Sequence, residues 1–262
     1  MIENEDFGNV PNWLVLTIRI DDGPPIRPDG VEILSDRQDL HLREGLLVRR
    51  LRFRDRAFRS GDRTASPDEC PVLRAALEVS VLCNGARLDG GGGEDERGTG
   101  DPMEVALLAG ARSAGIVRDA LVGRLREVRR EESDPKVRMM ATFPRSDDGI
   151  RVAVKGAPEP VIARCTRIMT GDGRTEALDD DGRARWNGRN EELARGSLRA
   201  LALAEKTAGD QGAEPYVELP QIGLVGLLDP PREEVREAVL QCREAGVKVV
   251  TVTGGAPPRD GP

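Results

Sequence analysis

A single histidine, His41, stands in 262 residues. It leaves little scope for imidazole metal ligation or for a histidine-based catalytic triad. The four cysteines, Cys70, Cys83, Cys165 and Cys242, are widely spaced and form no CxxC pair. They read as thiols buried like small hydrophobes. Aromatic residues amount to only 3%, so any core must rest on Val, Leu, Ile and Ala. The longest apolar run, "WLVLTI", is far too short to span a bilayer, and no secretory leader pattern opens the sequence. A soluble protein is expected. Basic residues do not exceed acidic ones: 39 stand against 46, for a net charge of −7. Without a Lys/Arg surplus no groove can neutralise a phosphate backbone, which argues against a nucleic-acid partner. The one basic run, residues 46–63, reads as a solvated strand face and turn.

What is present alternates between strand and helix signals. "NWLVLTIRI" has the make-up of a strand, broken by "DDGPPIRPDG". "VEIL" is a short, continuously apolar segment of the kind buried in a parallel sheet. One or two half-buried strands are expected within 46–60, and a helix within 71–88. The four consecutive glycines of "DGGGGEDERGTG" and the three acids directly after them predict a surface loop. After it, Asp101 is placed to cap a helix, Pro102 fits the first helical position and Gly115 can end it. Another helix is expected over "RDALVGRLREV". "MMATFP" and "IRVAVKG", joined by "RSDDG", predict a β-hairpin. "APEPVIARC" opens a helix, and "RNEELARGSLRALALAEK" leads from a helix into a strand.

The last segment predicts strand–helix–strand: "IGLVGLLD", "PPREEVREAVLQCREAG", "VKVVTVTGG". Asp229 can cap the helix, Pro230 and Pro231 suit its start, and Glu233 and Glu234 favour its positive end. Val235, Ala238, Val239, Cys242 and Ala245 make one apolar stripe, and Gly246 supplies the stop. A right-handed crossover between parallel strands is expected.

Several of these pieces, in this order, resemble the cytosolic region of P-type cation-transporting ATPases of the calcium-pump-like branch. "VLCNGARL" resembles the opening of the family's nucleotide-binding domain, and "GDPMEVALL" its GDPTExALL helix start. "VKGAPEPVIARC" carries KGAPE, "SLRALALA" resembles GLRxLAxA, and the segment from "GLLDPPR" to "VTVTGG" resembles the run from DPPR to TGD. The resemblance covers roughly residues 31–255. It implies an α/β chain in which an antiparallel-sheet nucleotide-binding domain (46–220) is inserted into an incomplete Rossmann-like, haloacid-dehalogenase-type phosphorylation domain (1–45 and 221–255), with a tail at 256–262. The "VEIL" strand is then expected beside "GLVGLL" or "VKVVTV".

The family's chemistry is attack by an aspartate at a strand end on the γ-phosphate of ATP, with Mg²⁺ and a lysine offsetting charge. Its signature is Asp-Lys-Thr-Gly-Thr. An ungapped match places Asp36 on the nucleophile, followed by Arg37, Gln38, Asp39 and Leu40 where the signature has Lys, Thr, Gly and Thr. Gly255 also replaces the aspartate of TGD. "APPRDGP" follows before the family's Mg²⁺-binding and phosphate-binding segments. The expectation is a chain that does not turn over ATP alone, with Mg²⁺ only as the counter-ion of the nucleotide.

Nucleotide binding is carried over separately. Glu104 and Arg199 match family positions that contact nucleotide, and Lys155 with Gly156 keeps the adenine-pocket motif. Asp229, Thr253 and Gly254 match further nucleotide-side positions. The aromatic adenine stacker aligns within "ESDPKVRM", where Glu132 replaces Phe and Val137 replaces a basic residue. Weak ATP binding between Lys155–Gly156, Glu104 and Arg199 is expected. Two roles follow: the ATP-binding cytosolic portion of a cation pump, completed by membrane-embedded pump segments, or a noncatalytic relic or regulatory module docking onto a pump.

Overall fold

The computed structural model describes residues 15–19, 26–28, 33–41, 46–53, 58–60, 63–89, 97–147, 149–196, 198–228 and 233–248. The chain divides into two units, Met1–Asp229 and Pro230–Pro262. The first opens with β1 (Val15–Arg19), β2 (Ile26–Pro28), β3 (Ile33–His41), β4 (Leu46–Phe53), β5 (Phe58–Ser60) and β6 (Arg63–Ala65). Then come α1 (Pro71–Leu82), β7 (Arg87–Asp89), β8 (Arg97–Thr99), α2 (Pro102–Ser113), α3 (Arg118–Arg124) and β9 (Glu127–Glu131). The hairpin β10 (Met139–Ser146) and β11 (Gly149–Gly156) leads to α4 (Pro158–Arg164), β12 (Cys165–Met169) and β13 (Thr175–Ala177). The unit closes with α5 (Asp180–Arg195), β14 (Leu198–Ala208) and β15 (Leu219–Leu228).

Among the described residues, the larger sheet has 11 strands, nine of them in the order β6-β5-β2-β1-β15-β14-β11-β10-β9, with β12 and β13 off this path. Its described pairings are antiparallel except for β12 against β15. Strand alternation sends successive side chains to opposite faces. Met140, Ala153, Leu203 and Ile222 join α1 and α2 in one apolar cluster. Val152, Val154, Ala202 and Ala204 join Val161, Ile162 and Trp186 of α4 and α5 in the other. Helices thus cover both faces of the central strands.

The local signals hold well. Asp101 accepts the backbone N–H groups of Met103 and Glu104 at 2.9 and 3.2 Å, with Pro102 first in α2. Gly115 has φ +81°, the left-handed conformation that a helix end favours. The hairpin turn pairs Ser146 with Gly149. Cys83 and Cys165 are buried and free, as small apolar groups would be.

Long-range pairing departs from the expectation. β3, which starts at Ile33 within "VEIL", does not lie beside "GLVGLL": it pairs with β4 in a separate four-stranded sheet, while β15 lies between β14 and β1. The alternative neighbour "VKVVTV" falls, beyond Lys248, outside the described residues. The expected boundary at 220 therefore cuts through β15, whereas the unit boundary falls at Asp229/Pro230. A central strand buried on both faces is continuously apolar whether its neighbours run parallel or antiparallel. That is why "IGLVGLL" suggested a parallel sheet.

In the second unit, α6 (Glu233–Glu244) ends at Gly246, φ +73°, with the Val247 N–H donating to the Cys242 carbonyl at 2.8 Å. Within the expected apolar stripe, Val239 and Cys242 are half-buried and Ala238 is exposed. Asp229, Pro230, Pro231 and residues 249–262, which include Thr253 and Gly254, lie outside the described residues, and so does the closing strand of the expected crossover.

Candidate functional site

The site grows from the end of β11 and the first turn of α2. Lys155 shares the β-face of Ala153, toward α1 and α2, and its Nζ donates to Glu104 Oε1 at 2.6 Å. The pair is largely enclosed, with 7% and 19% of the two side chains exposed. The Gly85 N–H donates to the other carboxylate oxygen at 2.8 Å. Asn84 completes the frame: its Nδ2 donates to the carbonyls of Glu104 and Ser80 at 2.9 and 3.0 Å, and its Oδ1 accepts the Ala86 N–H at 2.8 Å. Burial pushes the Glu104 carboxyl up, but Lys155 and the backbone N–H groups outweigh it and hold it below the ordinary 4.5. The stabilisation from this depression is complete above the unfolded value and is lost as the pH falls through the folded one.

Beside the pair lies a cavity of about 450 Å³. Met103, Met140 and Leu201 give it an apolar wall, and Gly85, Gly156 and Ala157 bring backbone to its edge. The charged lining is Asp101, Glu104, Glu132 and Asp134 against Lys155 and Arg138. Arg138 has φ +56°; its N–H donates to the Asp134 carbonyl at 2.6 Å, and its own carbonyl accepts the Ala157 N–H at 3.0 Å. Cys83 lies underneath, its Sγ donating to the Met140 carbonyl at 3.4 Å. Burial pushes its thiol up to about 11, so it remains protonated and inert at neutral pH.

The structure brings together Glu104, Lys155 and Gly156. Gly156 lines the cavity, yet its lack of a side chain has a nearer cause. A Cβ there would stand 2.6 Å from the Arg138 carbonyl oxygen and 2.7 Å from Met139 Cγ. Gly156→Ala is expected to force β10 and β11 apart and cost about 1–3 kcal/mol. Urea unfolding checks this, and an unchanged midpoint would count against it.

Arg199 is not among the cavity-lining residues. It is exposed on β14, on the alternation face of Leu201 and roughly 7 Å farther along the strand. Asp36 lies inside β3 with its backbone paired to Leu51, a correction to its expected place at a strand end; the strand simply continues to His41. Among the described residues no group of three or more His, Cys, Asp or Glu is arranged to hold a metal ion. Sequence reasoning missed Met103, Met140 and Leu201 as a wall. Only the shared alternation face of Leu201, Leu203 and Arg199 on one strand, with Lys155 on its neighbour, could have hinted at it.

Strand order and cavity together define an α/β domain whose mostly antiparallel sheet carries an enclosed ion pair beside a cavity at the end of one central strand. The family model for the cytoplasmic domain N of P-type ATPases matches residues 72–234, which hold the whole of this site. The chain belongs to the P-type ATPase family, in its calcium-pump-like branch. It is 32% identical over 203 residues to a calcium-transporting ATPase of Bacillus subtilis, covering 76% of this chain and 23% of the relative. It is 50% identical over 105 residues to the endoplasmic reticulum-type calcium-transporting ATPase 3 of Arabidopsis thaliana, covering 38% and 10%. With the plasma membrane-type calcium-transporting ATPase 7 of Oryza sativa it shares 33% over 191 residues, covering 67% and 18%. The chain thus spans less than a quarter of the length of these relatives. A second family model, the N-terminal domain of glycosyl hydrolase family 65, matches residues 2–66, the stretch that includes Asp36. Among the described residues, no helix is long and apolar enough to cross a membrane.

Proposed function

We propose that this chain is the nucleotide-holding part of a cation pump, and that it binds the base of ATP in the Lys155–Glu104 cavity without forming a phosphoenzyme at Asp36. The observation that carries the reading is the enclosed Lys155–Glu104 pair beside an apolar wall, within matched KGAPE and GDPMEVALL segments. The wall of Met103, Met140 and Leu201 suits a purine face. The charge balance suits a triphosphate poorly, because four carboxylates face two cations and Glu104 already engages the lysine. The phosphates therefore point outward, toward the Arg199 end of β14, with Mg²⁺ as their counter-ion. Asp229, Thr253 and Gly254 belong, on this reading, to a phosphorylation-domain segment that begins after β15. The rest of such a pump is membrane-embedded, with this part on its cytosolic side.

A noncatalytic or regulatory role is favoured over a catalytic one by Arg37, Gln38, Asp39 and Leu40 in place of the phosphoryl-cradling residues. Incubation with labelled ATP separates the two, since an acyl-phosphate at Asp36 would establish the catalytic role. Calorimetry tests the site. Lys155→Ala is expected to abolish measurable ATP affinity, and Asp36→Asn to leave it within about twofold, less than ~0.5 kcal/mol. Because Lys155→Ala strands a buried carboxylate, the double variant Lys155→Met/Glu104→Gln removes both charges together and is expected to give the same loss. The reverse pattern would move the site to Asp36.

A further inference from the structure

The end of α1 frames the Glu104 carboxylate, so whatever fixes that end bears on the site. The last carbonyls of a helix have no partner inside it. A basic residue in the last turn can serve them and offset the negative end of the dipole. Helices α2 to α6 each carry an arginine there, whereas α1 carries no basic residue. Nor does any of residues 83–86 take the left-handed conformation that closes many helices. The cation comes instead from the first residue of α3. Arg118 Nη1 donates to the carbonyls of Asn84 and Val81 at 3.0 and 3.4 Å. Thr142 Oγ1, on β10, adds a bond to the Leu82 carbonyl at 3.2 Å.

We propose that Arg118 is a positioning residue for the Lys155–Glu104 cavity: it fastens the 84–86 turn, and that turn holds the Glu104 carboxylate on Lys155. Its effect on ATP rests on the nucleotide reading given above. Arg118 does not line that cavity, so it acts through its neighbours. Asn84, fully buried, takes the Arg118 bond on its carbonyl. Its side chain meanwhile holds the Glu104 carbonyl and the Ala86 N–H, at 2.9 and 2.8 Å. The intervening Gly85 N–H then meets one Glu104 oxygen at 2.8 Å and leaves the other for Lys155 at 2.6 Å. A guanidinium suits this task because it is planar and stays charged at every working pH. Burial and then Arg130 lower the Arg118 pKa, and Glu127 and then Glu104 oppose them.

The test follows the Gly85 amide by NMR while Glu104 titrates. In the wild-type protein the amide is expected to move with the carboxylate it binds, through a midpoint below 4.5. Arg118→Met, or Arg118→Gln should the first not fold, is expected to shrink that movement and to weaken ATP binding about threefold to tenfold. Loss of charge alone would shift the midpoint and leave the amplitude. A merely structural role would lower the urea midpoint and change neither. Arg118→Lys, which restores the cation, is expected to recover most of the amplitude. An undiminished Gly85 movement in the neutral variants overturns the brace, and wild-type ATP affinity beside a diminished movement overturns its role at the site. A wild-type protein that binds no ATP overturns the nucleotide reading instead, and the Gly85 signal still decides the brace.

Discussion

Arg151→Met is expected to destabilise the domain by about 3–5 kcal/mol, the cost of leaving buried charge without its partner. Arg151, on β11, donates from Nε and Nη2 to both carboxylate oxygens of Glu205 on β14, at 3.0 and 2.7 Å. Its Nη1 donates to Glu78 on α1 at 2.7 Å. The three side chains are 14–17% exposed, so solvent screens them little. Arg151 therefore engages both acids, with Arg74 3.8 Å from the other oxygen of Glu78, and ties a helix to two strands. Burial pushes the Glu205 carboxyl up, with Arg151 opposing it and Glu78 adding to it. Removing Arg151 would raise it further. A carboxyl whose folded pKa exceeds its unfolded one gains stability as the pH falls through the folded value, so the loss should shrink on acidification. Thermal unfolding across pH checks both parts, at roughly 2–4 °C in melting temperature for each kcal/mol. A loss that is the same at every pH would contradict the assignment of uncompensated charge.

The largest gain is expected from Glu132→Phe. Glu132 lines the Lys155–Glu104 cavity and its side chain is 77% exposed, so a larger group can be seated there without crowding the core. The substitution supplies a stacking face and removes one of four carboxylates. Stacking alone is worth about 1–3 kcal/mol per base, or roughly 5–150-fold in affinity. Calorimetry with ATP at fixed Mg²⁺ and salt reads the change. Unchanged affinity would mean that the base does not lie against residues 132–135, and the proposed orientation would be wrong.

Local chemistry was legible and long-range company was not. Asp101, Pro102 and Gly115 announced α2 because capping depends on neighbours a few residues away. The motifs around Glu104 and Lys155 led to a pair that meets at 2.6 Å, although nothing in their spacing shows that distance. β15 was recognised as a buried strand but given the wrong neighbours, since burial on both faces erases the alternation that would mark an antiparallel sheet. Asp36 was aligned by position in a signature it has mostly lost, and the extended backbone runs on past it. Arg199 was placed with Lys155 by motif, but the β11–β14 register opposes Lys155 to Leu203, four residues away. That offset is set by hydrogen bonding across strands, which no single segment encodes.

Arg138 holds one side of the cavity wall in a backbone conformation that costs a side chain of its kind about 1–3 kcal/mol, and it is fastened from both directions, to Asp134 and to Ala157. That wall is thus in shape before any guest arrives. Ordering it is a cost met during folding, so it is not subtracted again from the free energy of each encounter. A visitor to this pocket finds a fixed berth, and how long it stays depends on its own contacts rather than on the protein rearranging around it.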